Sequence, residues 1–250
     1  SLAKAIGDLP RPPASVLLLG DDEPGREKEP WYLPSKRLEK YRWQDRQSEY
    51  FASDALLGDL DGDLMPDVPV GRIPARTQAE LKQIVDKIIS FEQKQPTLDD
   101  LRMPTWAGAP GFNPVVDSLA TGLMTKVLQA QAPRWVTPWL ISADPKSPFC
   151  GWPPDQSAMF TEQLRRGGIL AILVGHGEVQ YFFSMQFQSW AIGYHAKSIA
   201  KVLASGSPGP PVVMICCLSG SFAGSEKCLA ESLLMAAAGP VAVIAATTES

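Results

Sequence analysis

Histidine is scarce in this sequence: only His176 and His195 occur in 250 residues. Any mechanism in which an imidazole moves a proton beside a thiol or hydroxyl therefore has two candidates. Cysteine is sparse as well. Cys150, Cys216, Cys217 and Cys228 include no C-x-x-C pair, which removes the usual ligand spacing of a structural zinc site and the redox dithiol motif. Four thiols are also too few for a disulfide scaffold, so the redox compartment stays open. No apolar run approaches the roughly 18 residues that span a bilayer, and no apolar core of a signal peptide follows Ser1-Leu2-Ala3-Lys4. Positive charge is not in excess, with 23 Lys and Arg against 27 Asp and Glu. A nucleic-acid partner, which usually needs a basic patch or stripe, is not expected.

Present instead are short, continuous apolar segments separated by helical patterns. Residues 16–20, 169–174, 211–217 and 241–246 read as strands buried on both faces, as in a parallel sheet. Further extended segments are expected at 68–72, 103–109 and 134–142. Thr77, with Glu80 three residues on, is a helix-start signature, and Leu81, Ile84, Val85, Ile88 and Ile89 follow at helical spacing. Helices are also expected over 115–131, 157–166, 197–204 and 225–238. The alternation predicts an α/β fold with a mainly parallel sheet covered by helices. Residues 21–66, rich in charge, Pro and Gly, read as a long surface excursion.

In open α/β sheets ligands bind beyond the carboxyl ends of the strands. His176 stands there between Gly175 and Gly177. Cys217 stands at the end of another strand, followed by Leu218-Ser219-Gly220. A thiolate nucleophile needs a base or cation beside it, and flanking glycines let backbone N–H donors approach a substrate. Neighbouring strand residues point to opposite faces, so Cys216 and Cys217 cannot both be presented and one belongs to the core. His195 reads as a surface or capping residue. Tyr181, Phe182 and Phe183 read either as a cleft wall or as a hydrophobic anchor.

The pairing of Leu173-Val174-Gly175-His176-Gly177 with Cys217-Leu218-Ser219-Gly220-Ser221-Phe222 resembles the gingipain family of cysteine peptidases, in the clan of the caspases. The stretch from Pro66-Asp67 through Val70-Gly71-Arg72-Ile73-Pro74 is similar too, and is the more specific motif. The resemblance runs from about Val16 to Thr247. It implies a caspase-like three-layer α/β/α sandwich in a single peptidase domain over 1–250, and the stop at Ser250, a few residues after an apolar run, suggests a truncation at the C-terminus. It also implies a cysteine endopeptidase in which Cys217 is the nucleophile and His176 the acid/base. The backbone amides of Gly177 and Cys217 would hold the oxyanion. A sortase-like transpeptidase and a non-catalytic interaction domain of the same fold are the alternatives.

Members of the family carry an acidic residue that orients the histidine. The matching region here, Trp106-Ala107-Gly108-Ala109-Pro110-Gly111, has none. Asp117 stands where such enzymes place a carboxylate in the specificity pocket, which would favour a basic residue before the scissile bond. A helix N-cap is the other reading of Asp117. Asp59, Asp61, Asp63 and Asp67 suggest a structural calcium site, or a polar turn. They are not an EF-hand, whose sixth and twelfth positions would fall on Leu64 and Val70. No cofactor is expected for catalysis. The partners implied are a protein or peptide substrate and additional domains, in an extracellular or cell-surface setting.

Overall fold

The computed structural model describes residues 2–11, 13–39, 50–109, 117, 119, 122–123, 126–127 and 130–249. The chain divides into two compact units, residues 1–82 with 221–226, and residues 83–220 with 227–250.

The larger unit is built on a five-stranded parallel sheet. In spatial order its strands are β12 (Val243–Ala245), β11 (Val212–Ile215), β7 (Ala171–Val174), β5 (Arg102–Ala107) and β6 (Thr137–Ser142). These are the extended segments expected from sequence; β11 and β12 are shorter at both ends, β6 and β7 start later, and β5 starts one residue earlier and stops at Ala107. The helices Gln156–Arg166, Ala196–Val202 and Leu229–Met235 bury Phe160, Leu164, Ile199, Leu229 and Leu233 in the same core as β5, β7 and β11. Of the helix expected over 115–131, the described residues are helical and the remainder lies outside the described residues.

A three-stranded antiparallel meander is the element that the sequence did not announce. It orders β10 (Trp190–His195), β9 (Tyr181–Phe187) and β8 (His176–Glu178). Trp106, at 0% exposure, fixes it to the parallel sheet. The indole lies 5.3 Å from the Phe182 ring, 5.5 Å from Tyr194 and 5.5 Å from Phe160. Its N–H donates to the Ser184 hydroxyl (2.8 Å) and reaches Gln156 Oε1 at 3.2 Å. A buried tryptophan contributes a large apolar area and needs a partner for its one donor, and both conditions are met here.

Among its described residues the smaller unit carries two two-stranded ladders. β1 (Val16–Leu19) runs parallel to β4 (Val70–Ile73), and β2 (Lys36–Glu39) antiparallel to β3 (Tyr50–Ser53). The expected burial of β1 on both faces is not met. Only Leu18 is buried, because among the described residues β1 pairs with β4 alone and leaves Leu17 and Leu19 exposed. Of the surface excursion expected over 21–66, residues 24–39 and 60–66 contain no buried residue, but the segment also reaches the interior. Asp21 and Asp22 are fully buried, and Ala52, Leu56, Leu57 and Asp59 are buried as well.

Ion pairs explain why so polar a segment packs. Arg76 Nε lies 2.5 Å from Asp21 and its Nη1 2.6 Å from Glu23, while Arg37 lies 2.8 Å from Asp22. Arg72, from the motif Val70-Gly71-Arg72, forks onto both Asp54 oxygens at 2.7 Å. It also donates to the Gly20 and Leu33 carbonyls (2.9 and 2.8 Å), and its guanidinium lies 5.0 Å from the Phe222 ring centroid. A planar fork matched to a carboxylate is what arginine supplies and lysine does not.

The helix Gln78–Glu92 begins as its sequence predicts. Thr77 Oγ1 accepts the Glu80 N–H at 3.1 Å, and the Glu80 carboxylate accepts the Arg76 N–H at 2.7 Å. Its buried positions are Ile84 and, unexpectedly, Lys87, whose ammonium donates to the carbonyls of Leu234 and Ala236 (3.1 Å to the latter). Burial pushes that ammonium down to about 8.

Candidate active site

Two loops at the carboxyl ends of neighbouring strands meet in the larger unit. β7 and β11 are paired in register, Val174 opposite Ile215, and the Gly175 N–H donates to the Ile215 carbonyl at 3.2 Å. The chain leaving β7 enters β8 at His176, while the chain leaving β11 turns through residues 216–220. At Gly177 the two backbones touch. A β-carbon there would strike the Cys217 carbonyl oxygen, and would lie 2.9 Å from Cys216 Cβ and 3.0 Å from the Cys217 nitrogen. At Gly175 it would lie 2.8 Å from the Phe183 carbonyl oxygen. Only glycine allows both approaches, so the Gly-His-Gly spacing is a packing requirement that holds His176 next to the Cys217 turn.

The turn itself is tightly held. Cys217 follows β11 rather than ending it, and Leu218 adopts the left-handed region at φ 54°. The Leu218 N–H donates to the Thr248 carbonyl (3.1 Å) and the Gly220 N–H to that of Ala246 (2.8 Å). Ser219 is fully buried. Its hydroxyl donates to the Cys216 carbonyl (3.3 Å) and accepts from Cys216 Sγ (3.2 Å).

The four thiols separate by burial. Cys216 is 2% exposed, and burial pushes its thiol up to about 11. Burial also raises Cys150, and raises Cys228 well above the ordinary thiol range. These three are inert core thiols by the usual criterion, in which a reactive cysteine needs access and thiolate character. Cys217 alone of the four is not buried.

His176 is exposed at the mouth of a cleft of about 320 Å³, whose described lining is His176, Gly177, Glu178, Tyr181 and Phe183. Strand alternation sorts β9 into two faces. Phe182 and Ser184 face Trp106 and are fully buried, whereas Tyr181 and Phe183 are half-buried and face the cleft. The aromatic run is therefore both anchor and wall. Phe183 is paired with His176 across β8 and β9, with ring centroids 6.4 Å apart. Among the described residues no carboxylate hydrogen-bonds to His176. His195 is not in the described cleft lining but is paired with Tyr181, the ring centroids 6.0 Å apart, and its Nδ1 accepts the Lys197 N–H (3.1 Å) as the N-cap of the helix Ala196–Val202.

Asp117 is a half-buried helical residue and is not part of the described cleft lining. Of the four aspartates expected to bind metal, three converge: oxygens of Asp59, Asp61 and Asp67 lie within 4.8 Å of one another. Asp63 does not join them, because its carboxylate accepts the Met65 N–H at 2.7 Å. Asp59 accepts the N–H groups of Gly62 (2.7 Å) and Leu64 (3.2 Å), and Asp67 that of Leu60 (2.8 Å), so the loop's own backbone already draws the cluster together.

Sequence comparison matches the model of Peptidase family C25 to residues 3–250. No curated protein matches the chain. Among solved structures, the Arg-specific cysteine proteinase gingipain R superposes with a TM-score of 0.66 at 19% identity, covering 99% of this chain and 52% of its own. The Porphyromonas gingivalis RgpB pro- and mature-domain complex gives 0.61 at 18%, covering 99% and 54%. A structure described only as a protease gives 0.69 at 17%, covering 100% and 49%. The likeness is one of fold, and the chain spans about half the length of these structures. It places the mostly parallel sheet and its helices in the caspase-like α/β/α class.

Proposed function

The chain belongs to peptidase family C25, and from that premise we propose that it is a cysteine endopeptidase working through Cys217 and His176. The observation that supports this reading is the contact between Gly177 and Cys217, which brings the turn bearing a half-buried thiol against the strand bearing an exposed, cleft-lining imidazole. The Cys217 thiolate attacks the carbonyl carbon of a peptide bond, and the carbonyl electrons move onto oxygen. The amides of Gly177 and Cys217 are the donors for that oxyanion. Donors fixed in advance cost no reorganisation when the charge develops. As the tetrahedral intermediate collapses, the C–N bond breaks and His176 gives its proton to the leaving amine. Water then attacks the acyl-thioester, His176 takes its proton, and the thiolate leaves as the acid product departs.

Substrates on this reading are proteins or peptides. Asp117 would favour a basic residue before the scissile bond. The setting is extracellular or at the cell surface, with further domains alongside. Among the described residues no helix is long and apolar enough to cross a membrane.

The test is labelling by peptidyl acyloxymethyl ketones with basic, acidic and apolar side chains, read by mass spectrometry. Selective modification of Cys217 that falls in His176→Ala is the expected result, and Cys217→Ala should lower kcat/KM by at least about 10⁴-fold. A folded, reduced protein that takes up none of the probes would end the peptidase reading.

Asp59, Asp61 and Asp67 are the residues that would hold a structural calcium ion. Clustered carboxylate oxygens suit a hard cation, and the ion would neutralise charges that otherwise repel. Calcium should raise the melting temperature of the wild type and not that of Asp59→Asn. Equal shifts in both proteins would remove the site.

A further inference from the structure

Glu178 is the one carboxylate among the described residues lining the cleft, and its position is defined by β8. It stands two residues beyond His176, roughly 6.6 Å along the same face of the strand. Tyr181 is directly across from it, as Phe183 is across from His176. The four side chains thus form one patch, two rows wide, with the Tyr181 and Phe183 rings 6.4 Å apart at 45°. Glu178 is exposed, and among the described residues its carboxylate makes no hydrogen bond or ion pair. The fold therefore makes no use of its charge.

A carboxylate beside aromatic faces attracts a cation twice, by charge and by the ring quadrupole. The position says which part of a substrate would meet it. His176 must stand beside the leaving nitrogen to protonate it. A group one strand repeat away on the same face then lies along the leaving fragment. We propose that Glu178, with Tyr181 beside it, forms a subsite for a lysine or arginine side chain within the first residues after the scissile bond. This subsite rests on the peptidase reading of His176 and Cys217. It is distinct from Asp117, whose expected partner lies before that bond.

The experiment compares quenched fluorescent peptides that differ only at the first residue after the scissile bond, Lys against Glu. Binding of the same peptides to Cys217→Ala is measured by fluorescence polarisation. Wild type should prefer Lys by roughly fivefold to tenfold in kcat/KM. Glu178→Gln should bring that ratio close to one, and Glu178→Lys should invert it. The same ordering is expected in the binding measurement. Cleavage that proceeds with an unchanged Lys-to-Glu ratio in Glu178→Gln overturns the subsite and leaves the peptidase reading standing. A Glu178→Gln variant whose pH profile moves alike for both peptides, ratio unchanged, makes Glu178 a positioning residue for His176 and also overturns it. If the wild type cleaves neither peptide, Glu178-dependent binding of the Lys peptide supports the subsite while the peptidase reading falls. Absence of that binding overturns the subsite.

Discussion

The two units of this chain are held by different forces. In the larger, Trp106 joins Phe160, Phe182 and Tyr194 in a core from which water is excluded, and its polar atoms are paired internally. In the smaller, Asp21, Asp22 and Asp54 are drawn inside by Arg76, Arg37 and Arg72. An apolar core tolerates changes of pH and salt, and fails when volume is removed. A buried ion-pair cluster adds little net stability over apolar packing, yet fails sharply when one partner is lost. The comparison teaches that the same chain should answer different perturbations in its two halves.

The largest effect should come from Trp106→Ala. The cavity and the lost apolar area should cost roughly 4 kcal/mol, read by urea unfolding. Hydrogen exchange should rise first in β5, β7 and β9. Cys217 labelling should fall as well, because β9 carries the cleft wall. A loss below about 1 kcal/mol would break the picture of Trp106 as the anchor.

Next is Arg72→Met, which leaves the Asp54 carboxylate and the carbonyls of Gly20 and Leu33 without their donor. About 3 kcal/mol should be lost. Adding Asp54→Leu to the same protein should recover part of it, since the stranded charge is then gone. A double variant as unstable as the single would show that the fork matters for itself, not for the charge it covers.

The smallest effect is on pH. Burial alone would push Asp22 up, but hydrogen bonds from the Ser35 hydroxyl and amide, with the Arg37 charge, outweigh it and hold its carboxyl below the usual range. A depressed acid stabilises the fold above its unfolded pKa, near 4, and that contribution is lost as pH falls through the lower folded value. Amide exchange around β2 and residue 22 should therefore rise on acidification below pH 4 before exchange in the Trp106 core does. Simultaneous onset would remove the distinction between the units.

How far the sequence disclosed all this follows the same division. The strands β7, β11 and β12 and the helix Gln78–Glu92 were legible because burial writes itself as apolar runs and helical spacing. The smaller unit was not, since a buried aspartate paired with an arginine far along the chain looks like a solvated one. The meander escaped for another reason. β9 buries Phe182 and Ser184 on one face and shows Tyr181 and Phe183 on the other, so polarity does not alternate with direction. A bulge between Ile192 and Gly193 blurs β10 as well. His176 stood out through its flanking glycines, and Cys217 through its place at a strand end three residues before Gly220. The separation of Cys216 from Cys217 followed from strand alternation. The face shared by His176 and Glu178 became visible only once 176–178 proved to be a strand, and Asp63 left the acidic cluster because its loop turns it toward Met65.

The turn at Cys217 has a consequence for the order in which the candidate site is assembled. The amides of Leu218 and Gly220 are tied to the carbonyls of Thr248 and Ala246, which follow β12. A ribosome that has passed residue 217 has made both His176 and Cys217, yet the residues that tie down the turn, 246 and 248, are still to come. The turn that carries Cys217 therefore takes its final shape only after β12 and the residues that follow it are in place.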